Sequence, residues 1–312
     1  MNNAAFQAPY FHDDDKAREY LESVRWPEGP VCPHCGTVGG WPISTKSRVR
    51  KDGRIQKARL GLYKCAGKEC AKQFSVTVGT VFERSHIPIS KWLFAAYLLC
   101  SSKKGISSHQ IQRTLGLTRK TAWFLCHRIR LAMSSAGGLI GGGGSVVEAD
   151  ETYIGGKPGV KKGRGGFRHK NTVLSLVQRD GEVRSVLGTN FAQVKRAFKN
   201  HVAGDTRLMT DEHKKFRKIG REFISHEVVN HSKYEYLRGN VSTNTIEGVF
   251  SIFKRDMQGI YQHCGSPHLH RYLTAFDFRY NHRPALGVED GQRAVVALRG
   301  IEGKRLTYRR TN

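Results

Sequence analysis

Seven cysteines occur in the chain, and four of them fall into two close pairs. CPHC places Cys32 and Cys35 in a C-x2-C knuckle, and CAGKEC places Cys65 and Cys70 in a C-x4-C knuckle. Two such pairs separated by a long loop suit one tetrahedral zinc ion, because each knuckle offers two thiolates from one side. Four thiolates leave no open position for a substrate, so this zinc would be structural. The competing reading is four unrelated thiols in a reduced protein. His34 lies inside the first knuckle and would point away from the ion. Cys100 and Cys126 sit in apolar helical runs and read as small core residues.

Acidic residues form the second constellation. The chain has 52 Lys and Arg against 26 Asp and Glu, a surplus of +26, so each carboxylate in an apolar setting stands out. Asp150 lies in the strand-like VVEADETYI, Asp211 ends RLMTD, and Glu247 lies in the helical NTIEGVFSIFKR. Two strand carboxylates and one from a helix can converge on a pair of hard cations, Mg²⁺ or Mn²⁺. On the helix, Ile246, Val249, Phe250, Phe253 and Met257 form an apolar stripe. Asn244, Glu247, Ser251, Lys254 and Arg255 fall on the polar flank, with Glu247 and Lys254 two turns apart. Each acid has a plainer reading. Asn244-x-x-Glu247 fits a capping box, and Asp211 fits a turn residue or an N-cap. Asp150 competes with Glu148 on the same strand face, whereas Glu151 points to the other.

These residues need elements to hold them, and composition divides the chain into five stretches. Residues 1–84 read as a zinc ribbon with an N-terminal helix, including β-prone runs such as Phe74 to Val81. Residues 85–135 read as a helical segment. AGGLIGGGGS, residues 136–145, reads as a glycine-rich linker with little structure of its own. Residues 146–285 alternate strand and helix signals, and residues 286–312, through Arg309 and Arg310, read as a basic tail. In 146–285 three strands in a meander precede alternating strand and helix. This predicts an α/β domain, a mixed sheet with flanking helices.

Within the helical segment, GISSHQIQRTLGLTRKTAWFLCHRIR predicts a helix-turn-helix. Ser107 or Ser108 caps the first helix, Leu115-Gly116-Leu117 makes the turn, and Thr118 caps the second. Arg119, Lys120, His127, Arg128 and Arg130 remain for phosphates or base edges; the plainer alternative is a basic hairpin that only packs. Lys161, Lys162 and Arg164 lie in a basic stretch, Lys157 to Lys170, that reads as a DNA-contacting loop or as a solvated one. The net charge makes nucleic acid the default partner. No apolar stretch is long enough to span a membrane. No basic-then-apolar leader is seen, and the odd cysteine count argues against a disulfide framework, so a cytoplasmic setting is expected.

The chain resembles the zinc-ribbon DDE transposases of bacterial insertion sequences, relatives of the Merlin elements. The resemblance runs from about residue 17 to 283 and rests on long motifs in one order. These are RWPEGPVCPHCG, QFSVTVGTVFERSHIP, SKKGISSHQIQRTLG, VEADETYIGGK, LMTDE, VNHSKYEYLRG, NTIEGVFSIFKR, GIYQHC and HLHRYLTAFDFRYNHR. The 35 residues between Asp211 and Glu247 are also typical of integrase-like transposases. The resemblance implies an RNase H-like catalytic domain, strand cleavage and transfer with two Mg²⁺ or Mn²⁺ ions, and recognition of terminal inverted repeats. It assigns metal ligation to Asp150, Asp211 and Glu247, with Lys254 following; Asn244 is the local alternative as third ligand. Partners implied are double-stranded DNA, both element ends and target, and further copies of the chain to synapse two ends. Four positions depart from the family pattern: Asn240, Ser242, Asp256 and Ala275. Alternatives are a catalytically decayed copy that acts as a DNA-binding protein or repressor, and a nuclease without strand transfer.

Overall fold

The computed structural model describes residues 6–43, 48–49, 52–53, 55–56, 60–134, 137–157, 159–163, 166–188, 190–262 and 264–307. They divide into two compact units. One combines the chain up to Ser101, Ser108–Met133 and the chain from Asp290 onward; the other combines Ser102–Ser107 with Ser134–Glu289.

The first unit begins with α1 (Asp14–Arg25), whose N-cap Asp13 accepts a hydrogen bond from the Lys16 N–H. A three-stranded antiparallel sheet follows, with β4 (Leu62–Cys65) between β1 (Gly40–Pro42) and β5 (Gln73–Ser75). A small separate pair, β2 (Arg48–Val49) and β3 (Ile55–Gln56), lies between β1 and β4 in sequence. The strand expected over Phe74 to Val81 ends at Ser75. Beyond it the chain turns, with the Thr80 hydroxyl donating to the Thr77 carbonyl at 2.7 Å. Trp26 meets Tyr63 and Phe74 edge-on, which gives this small sheet an aromatic core.

Three further helices follow in this unit: α2 (Ile89–Ser101), α3 (Ser108–Leu115) and α4 (Arg119–Ala132). Gly116 takes φ +60° in the turn between α3 and α4, and the Thr118 hydroxyl accepts from the Thr121 N–H as the N-cap of α4. Cys100 and Cys126 are buried.

The segment from 286 onward departs from the expected basic tail. It carries an α-helix, Asp290–Arg299, in which Ala294, Ala297 and Leu298, with Ile301 beyond, are buried. Arg293 is 4% exposed and donates to the Cys100 carbonyl at 2.8 Å. Gly300 fits where a Cβ would lie 2.3 Å from the Ala132 carbonyl oxygen. The apolar stripe is short and dilute among Arg, Gly and Gln, so charge masked it. Arg309 and Arg310 lie outside the described residues.

The second unit is a five-stranded mixed sheet in the order β10-β9-β6-β7-β8. Its strands are β6 (Val146–Ile154), β7 (Asn171–Gln178), β8 (Val183–Leu187), β9 (Arg207–Thr210) and β10 (Ser225–Val228). The first three form the expected antiparallel meander, and β9 and β10 add in parallel. Helices α5 (Phe191–His201) and α6 (Lys214–Gly220) cover one face, where Phe198, Phe216 and Ile219 pack on Ala149, Leu174 and Leu208. On the other face α7 (Asn244–Asp256) and α8 (Leu269–Asn281) set Ile246, Val249, Phe253 and Phe276 against Val173 and Val177. A short hairpin, β11 (Leu237–Arg238) with β12 (Val241–Ser242), precedes α7.

The glycine-rich stretch also differs from expectation. Residues 135–136 are outside the described residues, but Gly141 to Gly144 are built into the second unit. All four have φ between +57° and +84°, where other residues would be strained. Gly141, Gly142 and Gly143 donate their N–H groups to Gln178, Thr206 and Asp205 side chains at 2.7–2.9 Å. Ile140 is buried and bridges to Val202. Glycine here supplies the backbone angles of a fitted turn rather than the slack of a spacer.

Candidate active site

Asp150, Asp211 and Glu247 line one cleft of about 530 Å³, together with Glu151, Thr152, Glu212, His231, Phe250, Ser251 and Lys254. Strand pairing brings the two aspartates close, since Ala149 on β6 sits opposite Thr210 on β9 in parallel register. Asp150 follows the first of that pair and Asp211 the second. Glu247 comes from the first turn of α7, whose apolar stripe is buried as expected and so turns Glu247 and Lys254 toward the cleft.

The plainer readings of the acids sort differently once the geometry is known. The N-cap of α7 is Thr243, not Asn244, and the Thr243 side chain makes no cap hydrogen bond. The box expected from Asn244-x-x-Glu247 therefore does not form. Asn244 is exposed and is not among the residues lining the cleft. Asp211 does make a local turn, accepting from the His213 N–H at 3.1 Å through Oδ1. Glu148 is completely buried and its oxygens are already engaged. Oε1 accepts from Arg179 Nε at 2.7 Å and from the Thr245 hydroxyl at 3.0 Å, and Oε2 from the Ile246 N–H at 3.0 Å. It ties β6 to the start of α7. Glu151 is held by an ion pair with Lys215.

Electrostatics mark the cleft. Burial pushes the Asp150 carboxyl up to about 7, and the neighbouring Asp211, Glu247 and Glu151 charges push the same way against a bond from the Glu151 N–H. Carboxylates that repel one another in a basic chain fit a bound cation better than a structural role. Their spacing differs from that of the cysteines. Among the described residues, Cys32, Cys35, Cys65 and Cys70 are the group whose ligand atoms all lie within 4.8 Å. The sulfurs of Cys32 and Cys70 are 3.8 Å apart and those of Cys35 and Cys65 3.5 Å apart. Four sulfurs about 2.3 Å from a tetrahedral zinc stand about 3.8 Å from one another, so these residues fit the ion. The Thr37 hydroxyl and backbone hold the Cys35 thiol down to about 6, while burial pushes the Cys65 thiol up to about 12.

Two cleft residues had no role in the sequence reading. Glu212 accepts from the His231 N–H and from both the N–H and the hydroxyl of Ser232, and these bonds hold its carboxyl down to about 2. It pins the loop that carries His231. The His231 ring lies 3.2 Å from the Thr243 hydroxyl and 3.8 Å from Glu247 Oε1. Both lie in recognisable motifs, LMTDE and VNHSKYEYLRG, but nothing in the residue types alone separates cleft from scaffold.

The basic candidates divide sharply. Arg119 and Lys120 are exposed at the start of α4. His127, Arg128 and Arg130 are 0%, 6% and 1% exposed, so they pack within the unit rather than meet DNA as expected. Helix α4 packs against α2, α3 and the Asp290–Arg299 helix, so its C-terminal half has no free face. Arg128 lies over the Trp92 ring at 5.2 Å and donates to the Glu83 carbonyl at 2.7 Å. Lys161 and Lys162 are exposed in the loop after β6, Arg255 is exposed on α7 away from the cleft lining, and Arg164 lies outside the described residues. Among the described residues, no helix is long and apolar enough to cross a membrane.

The chain thus holds a four-cysteine cluster in one unit and an acidic cleft on a mixed sheet in the other, and known sequences share that combination. Residues 141–281 match the ISXO2-like transposase domain, and residues 12–73 match the transposase zinc-ribbon domain. The chain is also 25% identical over 289 residues to an uncharacterized protein in transposable element ISH50 of Halobacterium salinarum. That match covers 86% of this chain and 91% of the relative. The chain belongs to the insertion-sequence transposases that carry an N-terminal zinc ribbon ahead of a DDE domain.

Proposed function

We propose that the chain binds the terminal inverted repeats of its own element and catalyses DNA cleavage and strand transfer. The observation that carries this is the convergence of Asp150, Asp211, Glu247 and Lys254 on one cleft from three separate elements. The three carboxylates would hold two Mg²⁺ or Mn²⁺ ions. When bound, these supply activation of the attacking water or 3′-hydroxyl and stabilisation of the leaving oxygen. Lys254, two turns from Glu247, contributes a cation for the phosphate beside the scissile bond. Glu148 and Glu212 position the start of α7 and the His231 loop around that strand.

An RNase H-like fold for the second unit is supported by its strand order, a three-strand meander with two further strands added in parallel beside the first. DNA reading by α3 and α4 is supported by the exposed Arg113, Arg119 and Lys120 and by the Thr118-capped turn. Lys161 and Lys162 add positive charge near the cleft end of β6. Pairing of two element ends requires more than one copy of the chain. The departures from the family pattern do not favour a decayed protein. Asp256 pairs with Arg279 at 3.1 Å, the Ser242 hydroxyl accepts from Arg179 at 3.0 Å, and Arg179 also donates to the Asn240 carbonyl. Ala275 is packed in the core.

The test is cleavage and strand transfer on a duplex carrying the element end with Mn²⁺. Joined products from wild type and from Asn244→Ala, lost in Glu247→Gln, are expected. Equal activity in Glu247→Gln would transfer the third ligand to another residue, and tight binding without products from any variant would overturn the catalytic assignment.

A further inference from the structure

A second cleft of about 540 Å³ adjoins the acidic one and shares Glu151, Thr152 and Lys254 with it. Its wall carries Tyr153 and Phe167, whose rings stack with centroids 4.5 Å apart at 23°. Unlike the aromatic pairs of the core, these two remain 37% and 52% exposed. The Lys170 ammonium sits 5.3 Å from the Phe167 ring centroid. Gln258 and Gln262 add exposed amide groups to the lining, whereas Asn171 is buried and donates to the Ile154 carbonyl.

We propose that this cleft is a stacking subsite for one unpaired base of the DNA strand whose phosphate occupies the acidic cleft. The inference rests on the transposase reading above and adds a ligand that reading does not require. Several features point to a base rather than an apolar peptide. An exposed aromatic platform accepts any base through its π-face, while lysines beside it neutralise the backbone. The two amides can meet a base edge with donor and acceptor groups. Lys254 borders both clefts, which suits the phosphate linking a nucleotide in one to its neighbour in the other. Tyr153 lies three residues beyond Asp150, about 10 Å along the strand at some 3.3 Å per residue, and alternates to the face of Glu151, which borders both clefts. That is within reach of an adjacent nucleotide but not of a distant one. The base is taken as unpaired, because inside a duplex both faces of a base are covered by its stacked neighbours.

The experiment compares binding of the full chain to a blunt duplex and to the same duplex with a four-nucleotide 3′ single-stranded overhang, without added Mg²⁺ or Mn²⁺. Fluorescence anisotropy reads both. The wild type should bind the overhang duplex more tightly. Phe167→Ala should reduce that preference by roughly five- to hundredfold, and Phe167→Trp should keep it. Blunt-duplex affinity should stay unchanged in both variants. An abasic overhang should lose the same part of the preference that Phe167→Ala removes and keep only what its phosphates contribute. A preference undiminished by both Phe167→Ala and the abasic overhang would overturn the proposal, as would no preference in the wild type. Cleavage by the wild type in Mn²⁺ is scored separately on the same duplexes. Its absence would overturn the transposase reading whatever the binding data show, so the two failures are distinguishable. Phe167 is half-exposed, and an unchanged far-UV spectrum confirms that Phe167→Ala folds.

Discussion

Replacing Glu148 by Gln should destabilise the second unit although the two side chains have nearly the same shape. All three groups that meet Glu148 are donors: Arg179 Nε and the Thr245 hydroxyl on one oxygen, the Ile246 N–H on the other. A carboxylate satisfies them all. An amide has one acceptor oxygen, and its NH₂ must face a donor in one orientation or the other. The carboxylate is 0% exposed, so water cannot compensate there, while the Arg179 side chain at 26% exposure can recover part of its hydration. Losing one charge-assisted bond and stranding a buried donor costs about 2–4 kcal/mol. Guanidinium unfolding followed by far-UV circular dichroism should show this loss. If the amide oxygen stays on the two donors from Arg179 and Thr245, the NH₂ faces the Ile246 N–H and hydrogen exchange there should quicken. All four tryptophans, Trp26, Trp41, Trp92 and Trp123, belong to the first unit, so their fluorescence serves as a control for that unit. A Glu148→Gln protein within about 0.5 kcal/mol of wild type, with unchanged exchange at Ile246, would refute the argument that this carboxylate anchors α7.

Asp277 gives a pH-dependent test. Burial pushes its carboxyl up to about 7, opposed in part by bonds from Ser185, whose N–H lies 2.6 Å away. An unfolded Asp releases its proton near 3.9, so the folded state binds more protons between about 4 and 7 and stability must fall as pH rises through that window. Between pH 5 and 8 the loss is of the order of 3 kcal/mol, and Asp277→Asn, which keeps the acceptor for Ser185, should remove that part of the slope in urea titrations. Parallel slopes for the two proteins would show that Asp277 is ionised when folded. Zinc removal with a chelator should unfold the ribbon and shift Trp26 emission to the red, because this ring is 5% exposed against Tyr63 and Phe74. Cys70→Ser should show the same shift with less than one zinc per chain by metal analysis. An unchanged spectrum after full metal loss would mean that the ribbon holds without the ion.

Much of the molecule was legible because local rules and tertiary needs agreed. The meander over residues 146–187, the helix after Asn244 and the Thr118-capped α4 each combined a clear hydrophobic period with a matching turn or cap. The cysteine knuckles were legible for a chemical reason, since zinc ligands must come in pairs close in sequence. Reading failed where a residue's type suggests one environment and its neighbours supply another. Arg128 and Arg130 look like phosphate contacts until α4 is seen to be packed on more than one side. Gly141 to Gly144 look like a spacer until Thr206 and Asp205 are seen to bond their N–H groups. The chain from Asp290 looks like a tail because its apolar positions are few.

The sequence by itself determined which four cysteines come together in the ribbon, the composition of the mixed sheet and its helices, and which acids deserved attention. These depend on side-chain identity, on periods of two and 3.6, and on charge, all of which are local properties. Tertiary structure alone decided which carboxylates share a cleft and which is consumed in holding a helix. Glu148 and Asp150 stand two residues apart on one strand and have the same chemistry. Their roles separate only because α7 crosses β6 at Glu148 and covers it, while Asp150 lies further along, where the parallel register of β9 brings Asp211 alongside.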